Sequence, residues 1–567
     1  MHSARIKLEL TSFRLSAMSA PSVNAPARSA STSSTWPKVD ARQVQAMLSD
    51  GQELAFLDVR EEGAFHDAHP LLIVSAPLSH LETRLADLVP RRDTRVVLLD
   101  AEGEGLSERA AERMARWGYT QVSILEGGLQ GWKNAGLQVF SGIYVPSKAF
   151  GEFVEHSYGT PSIDAQELKT WISEGRDMVI LDSRPYSEFH NYSLPGGINC
   201  PGAELVHRVF DLVERETTTV VVNCAGRTRG IIGAQSLINA GLRNPVVCVR
   251  NGTQGWHLSG ETMARGSRAV APPPTPEGVR LAMEASERVA RRFGVKEINV
   301  AQLRELQQQA TQRSLYMFDV RTPEEYEAGH IPGARSAPGG QMVQSTDHYV
   351  GTRGARIVLC DDNGVRARMT ASWLIQLGWK EVFVLQGGLS ACGLALEKGP
   401  EVPTQLPVEA ATQVQQLSVL QVQKKVQSGE AVVVDLSSSL RFRDGHIPGA
   451  WFAVRSRLAS AMSQLPTHKL LVLTSVDGKF AEIAAADAQA VSSAPVAVLQ
   501  GGNAAWTAAG LTLEPGLTHM TSTTDDVWYS PYDHVDMVKA MNAYLSWEIG
   551  LVEQMEKETG ALFEYFE

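Results

Sequence analysis

Residues 179–184 read VILDSR: a short apolar run, an aspartate where it stops, and an arginine two places further on. The same phrase occurs at AFLDVR (55–60) and YMFDVR (316–321) and, in weaker form, at VVVDLS (432–437). Its aspartates, Asp58, Asp182, Asp319 and Asp435, stand 124, 137 and 116 residues apart, about one domain each time. A second mark keeps step with the first. Strand-like runs closing on a glycine-rich turn (ILEGGLQGW, CVRNGTQGW, VLQGGLSACG, VLQGGNAAW) place Gly127, Asn251, Gly387 and Gly501 at 69, 69, 68 and 66 residues past the aspartate of their unit. Between the marks, β-branched runs alternate with helical patterns, as in VVLL (96–99), SERAAERMARWG (107–118) and QVSIL (121–125). Apolar runs without polar alternation fit strands covered on both faces. Each unit therefore reads as an α/β domain, a parallel sheet flanked by helices, repeated four times.

In such sheets the chemistry lies beyond the carboxyl ends of the strands. The next strand ends near 42 residues past each aspartate, which gives Asp100, Cys224, Asp361 and, allowing unit four a three-residue shortening, Thr474. One unit of four has a thiol there, in VVVNCAGRTRGIIGAQ (220–235). Cys360 falls one position earlier, where the pleat turns it into the sheet as a small buried hydrophobe. Cys248, inside VVCV, reads as core, and with Cys200 it is a weaker candidate for a resolving thiol. With Cys392 these make five cysteines, with no CxxC pair and no Cys/His cluster, so neither a disulfide framework nor a metal site is expected.

A thiolate is the nucleophilic form of cysteine, so the site of Cys224 has to favour negative charge. The backbone N–H groups of residues 225–230 can curl around the sulfur, with the start of a helix near Thr228 or Gly230 adding its partial positive charge. Ala225 and Gly226 are small enough to allow that curl. Arg229 and Arg227, with Arg184 from the strand-end phrase, are the candidate cations for an anionic substrate. Arg250 is a weaker one, and Asp182 and His190 read as structural.

These features together resemble the rhodanese family over nearly the whole chain, from about residue 38 to 515. The resemblance is carried by Asp58/Arg60, Asp182/Arg184 and Asp319/Arg321, by GHIPGA at Gly329–Ala334 and Gly445–Ala450, by the loop 224–229, and by the glycine-rich exits. It implies a sulfurtransferase in which Cys224 takes a sulfane sulfur from a donor such as thiosulfate and passes the persulfide sulfur to cyanide or a thiol. It also implies that units one, three and four are inactive companions of unit two, and that no cofactor is needed beyond the enzyme-borne persulfide. The six-residue loop 224–229 has the sulfurtransferase length; phosphatase or arsenate-reductase relatives use a longer one. Unit two departs from the signature in EFHNYSLPGGINCPG (188–202), which keeps Pro195 and Gly196 but replaces Gly-His-Ile. A rival reading is a sulfur-relay or partner-binding protein whose thiol-free repeats recruit another enzyme.

The remaining sequence sets the surroundings. A chain of 567 residues, 43% hydrophobic and 20% charged, with a formal charge of -11, fits a soluble, cytoplasmic protein and argues against nucleic acid or membrane as main partner. Expected partners are a small anionic sulfur donor and a thiophilic acceptor, with a homodimer contact or an acceptor protein left open. The expected order is a disordered leader (1–36, with Met18 as an alternative start), domains at 37–140 and 160–262, a linker with a helix (263–294), domains at 295–397 and 412–515, and a helical tail (516–567). The polyproline stretch APPPTPEG (271–278) divides the chain into two tandem pairs, expected to dock as pairs. In the tail, Val538, Met541, Leu545, Ile549, Val552 and Met555 form an apolar stripe expected to dock on the domains, with Trp528, Tyr529 and Tyr532 near the unit-two pocket.

Overall fold

The structure, a computed structural model, describes residues 36–101, 105–408, 414–557 and 563–567; the expected leader lies almost wholly outside the described residues. It contains four five-stranded sheets, all pairings parallel, with one shared strand order. Domain 2 shows the pattern. A helix, α1 (Val145–Tyr158), precedes it, and the domain then runs β1 (Ser162–Ile163), β2 (Met178–Asp182), β3 (Ile198–Asn199), β4 (Thr219–Asn223), α2 (Thr228–Asn239) and β5 (Val246–Val249). The sheet order is β1-β5-β4-β2-β3. Strand β4, TVVVN, is buried at every position, as a central strand covered on both faces must be.

The strand-end aspartate is a structural staple. Asp182 accepts from the Arg184 backbone N–H at 3.1 Å, from Arg184 Nε and Nη2 at 2.8 and 2.7 Å, and from Asn223 Nδ2 of the neighbouring strand at 3.0 Å. Asp58 and Asp319 bind Arg60 and Arg321 in the same manner. In each sheet this aspartate pairs across the ladder with the last residue of the next strand: Leu99, Asn223, Cys360 and Thr474. The residue that follows is therefore Asp100, Cys224, Asp361 and Ser475. The expected Thr474 is corrected to Ser475, because the shortening in domain 4 is two residues before the turn rather than three. The backbone agrees: Leu129, Thr253, Leu389 and Asn503 donate their N–H to the carbonyls of Asp100, Cys224, Asp361 and Ser475.

Domain pairing differs from the tandem expectation. The linker helix α3 (Pro276–Arg292), capped by the Thr275 side chain, buries Ala282, Ala285 and Val289. It packs against Glu204–Arg208 of domain 2 and against α4 (Val365–Gln376) of domain 3, so that one hydrophobic core runs through both domains. Domain 4 instead meets domain 1, where Arg455 binds Glu82 at 2.7 Å and both Ser79 and Ser456 donate to Glu61 at 2.6 Å. The physical reason is the linker. Its proline run leads straight into a helix with an apolar face that must be covered, and covering it lays domain 3 on domain 2.

The tail helix α5 (Met537–Glu556) docks on α1, burying Met541, Leu545, Glu548 and Leu551. Val538 and Ile549, both expected in the stripe, are 51% and 52% exposed. The buried face is rotated to include a glutamate, because Lys148, Tyr544 and Thr228 supply polar partners for it there. No helix among the described residues is long and apolar enough to cross a membrane.

Candidate active site

Cys224 stands at the carboxyl end of β4, one residue beyond the ladder, and α2 begins four residues later. Gly252 fixes the turn from below: its φ is +55°, and a methyl group there would stand 2.2 Å from the Cys224 carbonyl oxygen. Only glycine allows that approach. The N–H groups of Thr253 and Gln254 then bond the carbonyls of Cys224 and Ala225 at 2.9 and 3.0 Å, holding the start of the loop in place. Gly230 lets α2 start against the thiol, since a methyl group there would be 3.4 Å from Cys224 Sγ.

Cys224 is only 2% exposed. Burial pushes its thiol pKa up, the charge of Arg229 and the Gly230 N–H pull it down, and Glu548 pushes it up again. Arg229 lies flat against Glu188, with Nη1 and Nη2 at 2.7 and 2.8 Å, and reaches Gln341 of domain 3 at 3.1 Å. Arg184 is stapled to Asp182 yet lines the same cleft as Arg229 and Ala225. Arg227, expected beside the substrate, is instead directed to α1: Nε meets Glu152 Oε1 at 2.5 Å and Nη2 meets both Glu152 and Glu155. Its charge is spent on holding the loop to the helix before the domain. Thr228 packs against Gly151 of the same helix and donates to Glu548 at 3.2 Å.

Four candidates from the sequence do not join this cluster. His190 bonds the Ser267 carbonyl at 3.0 Å, and Arg250 reaches Ser162 at 3.1 Å. Cys200 and Cys248 lie in the core, with burial pushing the Cys248 thiol up to about 12 and that of Cys200 up as well.

Above the loop lies a cleft of about 1580 Å³ walled by Arg184 and Arg229 of domain 2, Gln341 of domain 3, and Trp528, Tyr532 and Tyr544 of the tail. Tyr532 stacks on Tyr192 with centroids 5.0 Å apart and bonds Thr253 Oγ1 at 2.8 Å. This accounts for the departure of unit two from GHIPGA. In the other domains a histidine stacks on the preceding aromatic residue (Phe65/His69, Tyr326/His330, Phe442/His446), whereas here Ser193 takes its place and Tyr192 receives the tail.

The other three domains close the same turn differently. Asp361 accepts from the N–H groups of Gly364, Arg366 and Ala367, Asp100 accepts from Ser107 N–H at 2.9 Å, and Ser475 Oγ accepts from Ala481 N–H at 3.3 Å. In those turns an oxygen of the protein fills the N–H cradle. In domain 2 a thiol faces it.

A model of the rhodanese-like domain matches residues 40–135, 164–259, 299–393 and 418–509. The chain belongs to the rhodanese family. This rhodanese is similar over 94% of its length to the whole chain of a crystal structure of a thiosulfate sulfurtransferase from Pseudomonas aeruginosa, at 44% identity and a TM-score of 0.88. Two smaller relatives match single domains. The thiosulfate sulfurtransferase GlpE of Pseudoalteromonas translucida is 28% identical over 98 residues, 17% of this chain and 87% of its own. The uncharacterized protein YqhL of Bacillus subtilis is 35% identical over 81 residues, 14% of this chain and 63% of its own.

The residues that sequence reasoning missed all lie on partners of the loop. Glu188 and Glu325 stand six residues past Asp182 and Asp319, so the repeat itself carried a signal for Glu188. Glu152 and Glu155 on α1, and Glu548 on the tail, lie outside every repeat and carried none.

Proposed function

We propose that this rhodanese moves a sulfane sulfur from thiosulfate or a related anionic donor to cyanide or a thiol, through a persulfide on Cys224. The observation that carries the reading is the turn itself: in domain 2 the Gly230 N–H and the charge of Arg229 act on a thiol, while a carboxylate or hydroxyl fills the same turn in domains 1, 3 and 4. The Cys224 thiolate attacks the outer sulfur of the donor, the S–S bond breaks, and sulfite leaves with the bonding pair. Arg229 offsets the charge of the departing anion, and the cradle holds the persulfide. The acceptor then takes the outer sulfur and returns Cys224 to the thiolate. No metal is called for, and the other loop residues, Ala225, Gly226, Thr228 and Gly230, act through their backbone.

The test is direct. Protein incubated with thiosulfate gains about 32 Da, one sulfur atom, on the peptide containing Cys224. A chain that gains no sulfur from any sulfane donor is a binding or relay protein instead.

A further inference from the structure

Outside the four repeats, α1 and α5 bring a polar cluster against the underside of the Cys224 loop. Glu548 is fully buried, 0% exposed. Its Oε1 is heavily engaged, accepting from Tyr544 Oη at 3.1 Å and Thr228 Oγ1 at 3.2 Å, with Lys148 Nζ at 3.3 Å. Its Oε2 has no hydrogen-bond partner among the described residues. That oxygen is turned toward the loop: a methyl group on Gly226, two residues after Cys224, would stand 3.1 Å from it and 3.3 Å from the Tyr544 ring. A buried acceptor left without a donor costs about 1 to 3 kcal/mol. Burial of a whole carboxylate costs more still unless charge and hydrogen bonds surround it, and Lys148 and Tyr544 provide those on one oxygen alone. The fold thus holds one buried carboxylate oxygen without a hydrogen-bond partner among the described residues, against Gly226 of the proposed nucleophile's loop. Tyr544, which bonds the other oxygen, lines the cleft, so the carboxylate lies one side chain behind its wall.

We propose that Glu548 is the terminal proton acceptor of the second half-reaction, drawing the proton of a thiol acceptor through Tyr544. The proposal rests on the persulfide reading above. An acceptor R–SH meets the loaded residue Cys224–Sγ–SH in the cleft. Its proton passes to Tyr544 Oη at the cleft wall as the tyrosine's own hydrogen moves to Glu548 Oε1, and the resulting thiolate attacks the outer sulfur. The new S–S bond forms as the Sγ–S bond breaks, and the bonding pair stays on Sγ, where the Gly230 N–H and Arg229 hold the thiolate. R–S–SH leaves with the outer sulfur and its proton, and the proton on Glu548 passes to solvent before the next cycle. One negative charge moves from Glu548 to Cys224, and no outside oxidant or reductant enters. Glu548 also supports the thiol form of Cys224 between turnovers, since its charge is among the groups that raise that thiol's pKa.

The cluster predicts a split between acceptors, because cyanide as its anion brings no proton to remove. The experiment loads the full-length protein with thiosulfate, removes the donor, and follows single-turnover discharge of the persulfide with glutathione and with cyanide. In Glu548→Gln, discharge by glutathione falls about 100-fold, within the range expected for loss of a general base. Discharge by cyanide falls at least tenfold less. Equal losses with the two acceptors, in a variant that still loads sulfur, show a purely structural Glu548 and overturn the proposal. Should Glu548→Gln fail to load, Glu548→Asp keeps the ion pair with Lys148 while drawing the carboxylate back from Gly226. The same selective loss is expected there, and parallel loss again overturns the proposal. A wild-type chain that never loads sulfur removes the sulfurtransferase reading, and this inference with it.

Discussion

Domains 2 and 3 pack face to face and place equivalent loops at the same point of their sheets, with opposite contents. At that point domain 3 surrounds one arginine, Arg366, with Glu204, Glu325 and Asp362, each at 2.7 Å, and fills its cradle with Asp361. Domain 2 surrounds Arg229 with Glu188 and the neutral Gln341, and its cradle faces Cys224. Gln341 and Glu204 both stand 22 residues past the strand-end aspartate of their own domain, so each domain reaches across to the other's arginine from the same position. One reaches with an amide, the other with a carboxylate. An anion approaching domain 3 meets a self-satisfied, acidic site; an anion approaching domain 2 meets an arginine with one carboxylate partner and a thiol in place of the aspartate. One fold thus yields a turn closed by a carboxylate or one that holds a thiol, through a handful of substitutions.

The comparison can be broken most severely at its centre. Cys224→Ser removes all sulfur loading and all turnover, measured by mass and by thiocyanate formation, while the fold persists, because Ser475 shows that a hydroxyl fits this turn. Retained turnover would mean that the wrong cysteine has been singled out. Arg229→Ala comes next: loss of hydrogen bonds to a charged group, about 1.5 to 3 kcal/mol, lowers kcat/KM for thiosulfate roughly 10- to 100-fold. A neutral polysulfide donor should be affected far less, and an equal loss with both would remove the anion-binding role. On the sealed side, Asp361→Ala leaves the N–H groups of Gly364, Arg366 and Ala367 without their acceptor and lowers stability by about 1 to 3 kcal/mol in urea unfolding. Loading at Cys224 continues in that variant.

The pH dependence sharpens the same contrast. Burial raises the Cys224 thiol, so alkylation by iodoacetamide is slow at neutral pH and climbs with pH to a midpoint above that of an unperturbed thiol. A midpoint below the ordinary value would show that Arg229 and the loop N–H groups outweigh burial. The smallest effect belongs to Arg227→Ala, whose guanidinium is bound by Glu152 and Glu155; the variant should loosen the loop and shift thiosulfate KM less than Arg229→Ala does.

What the sequence made legible follows from how local each signal is. The four sheets could be read because three of the strand-end aspartates bind an arginine two residues away and the fourth, Asp435, accepts from the Ser437 N–H at the same spacing, contacts written within three residues. Cys224 could be located because the repeat supplies three comparison turns in the same chain. The slip to Thr474 arose because a spacing of equal length cannot show on which side of a strand a deletion falls, and the ladder register does. Domain pairing escaped the sequence, since the buried face of α3 carries Gly278, Ala282, Ala285, Ser286, Val289 and Ala290, small residues and one valine that name no particular partner. The carboxylates around the loop escaped for a different reason: Glu152 and Glu548 meet Arg227 and Thr228 across 75 and 320 residues, and no periodicity spans such distances.

The distance between Thr228 and Glu548 has a consequence during synthesis of the chain. Domain 2 leaves the ribosome with its cysteine loop complete, but the helix that backs that loop follows some 320 residues later. At about 5 to 20 residues per second that is a delay of roughly 15 to 65 seconds. Throughout it, the nascent loop lacks the tail's cover, Tyr532 has not reached Tyr192, and domain 3 arrives before domain 4 can seal domain 1. Completion of the site therefore waits until the tail helix has been made, long after domain 2 has all of its own residues.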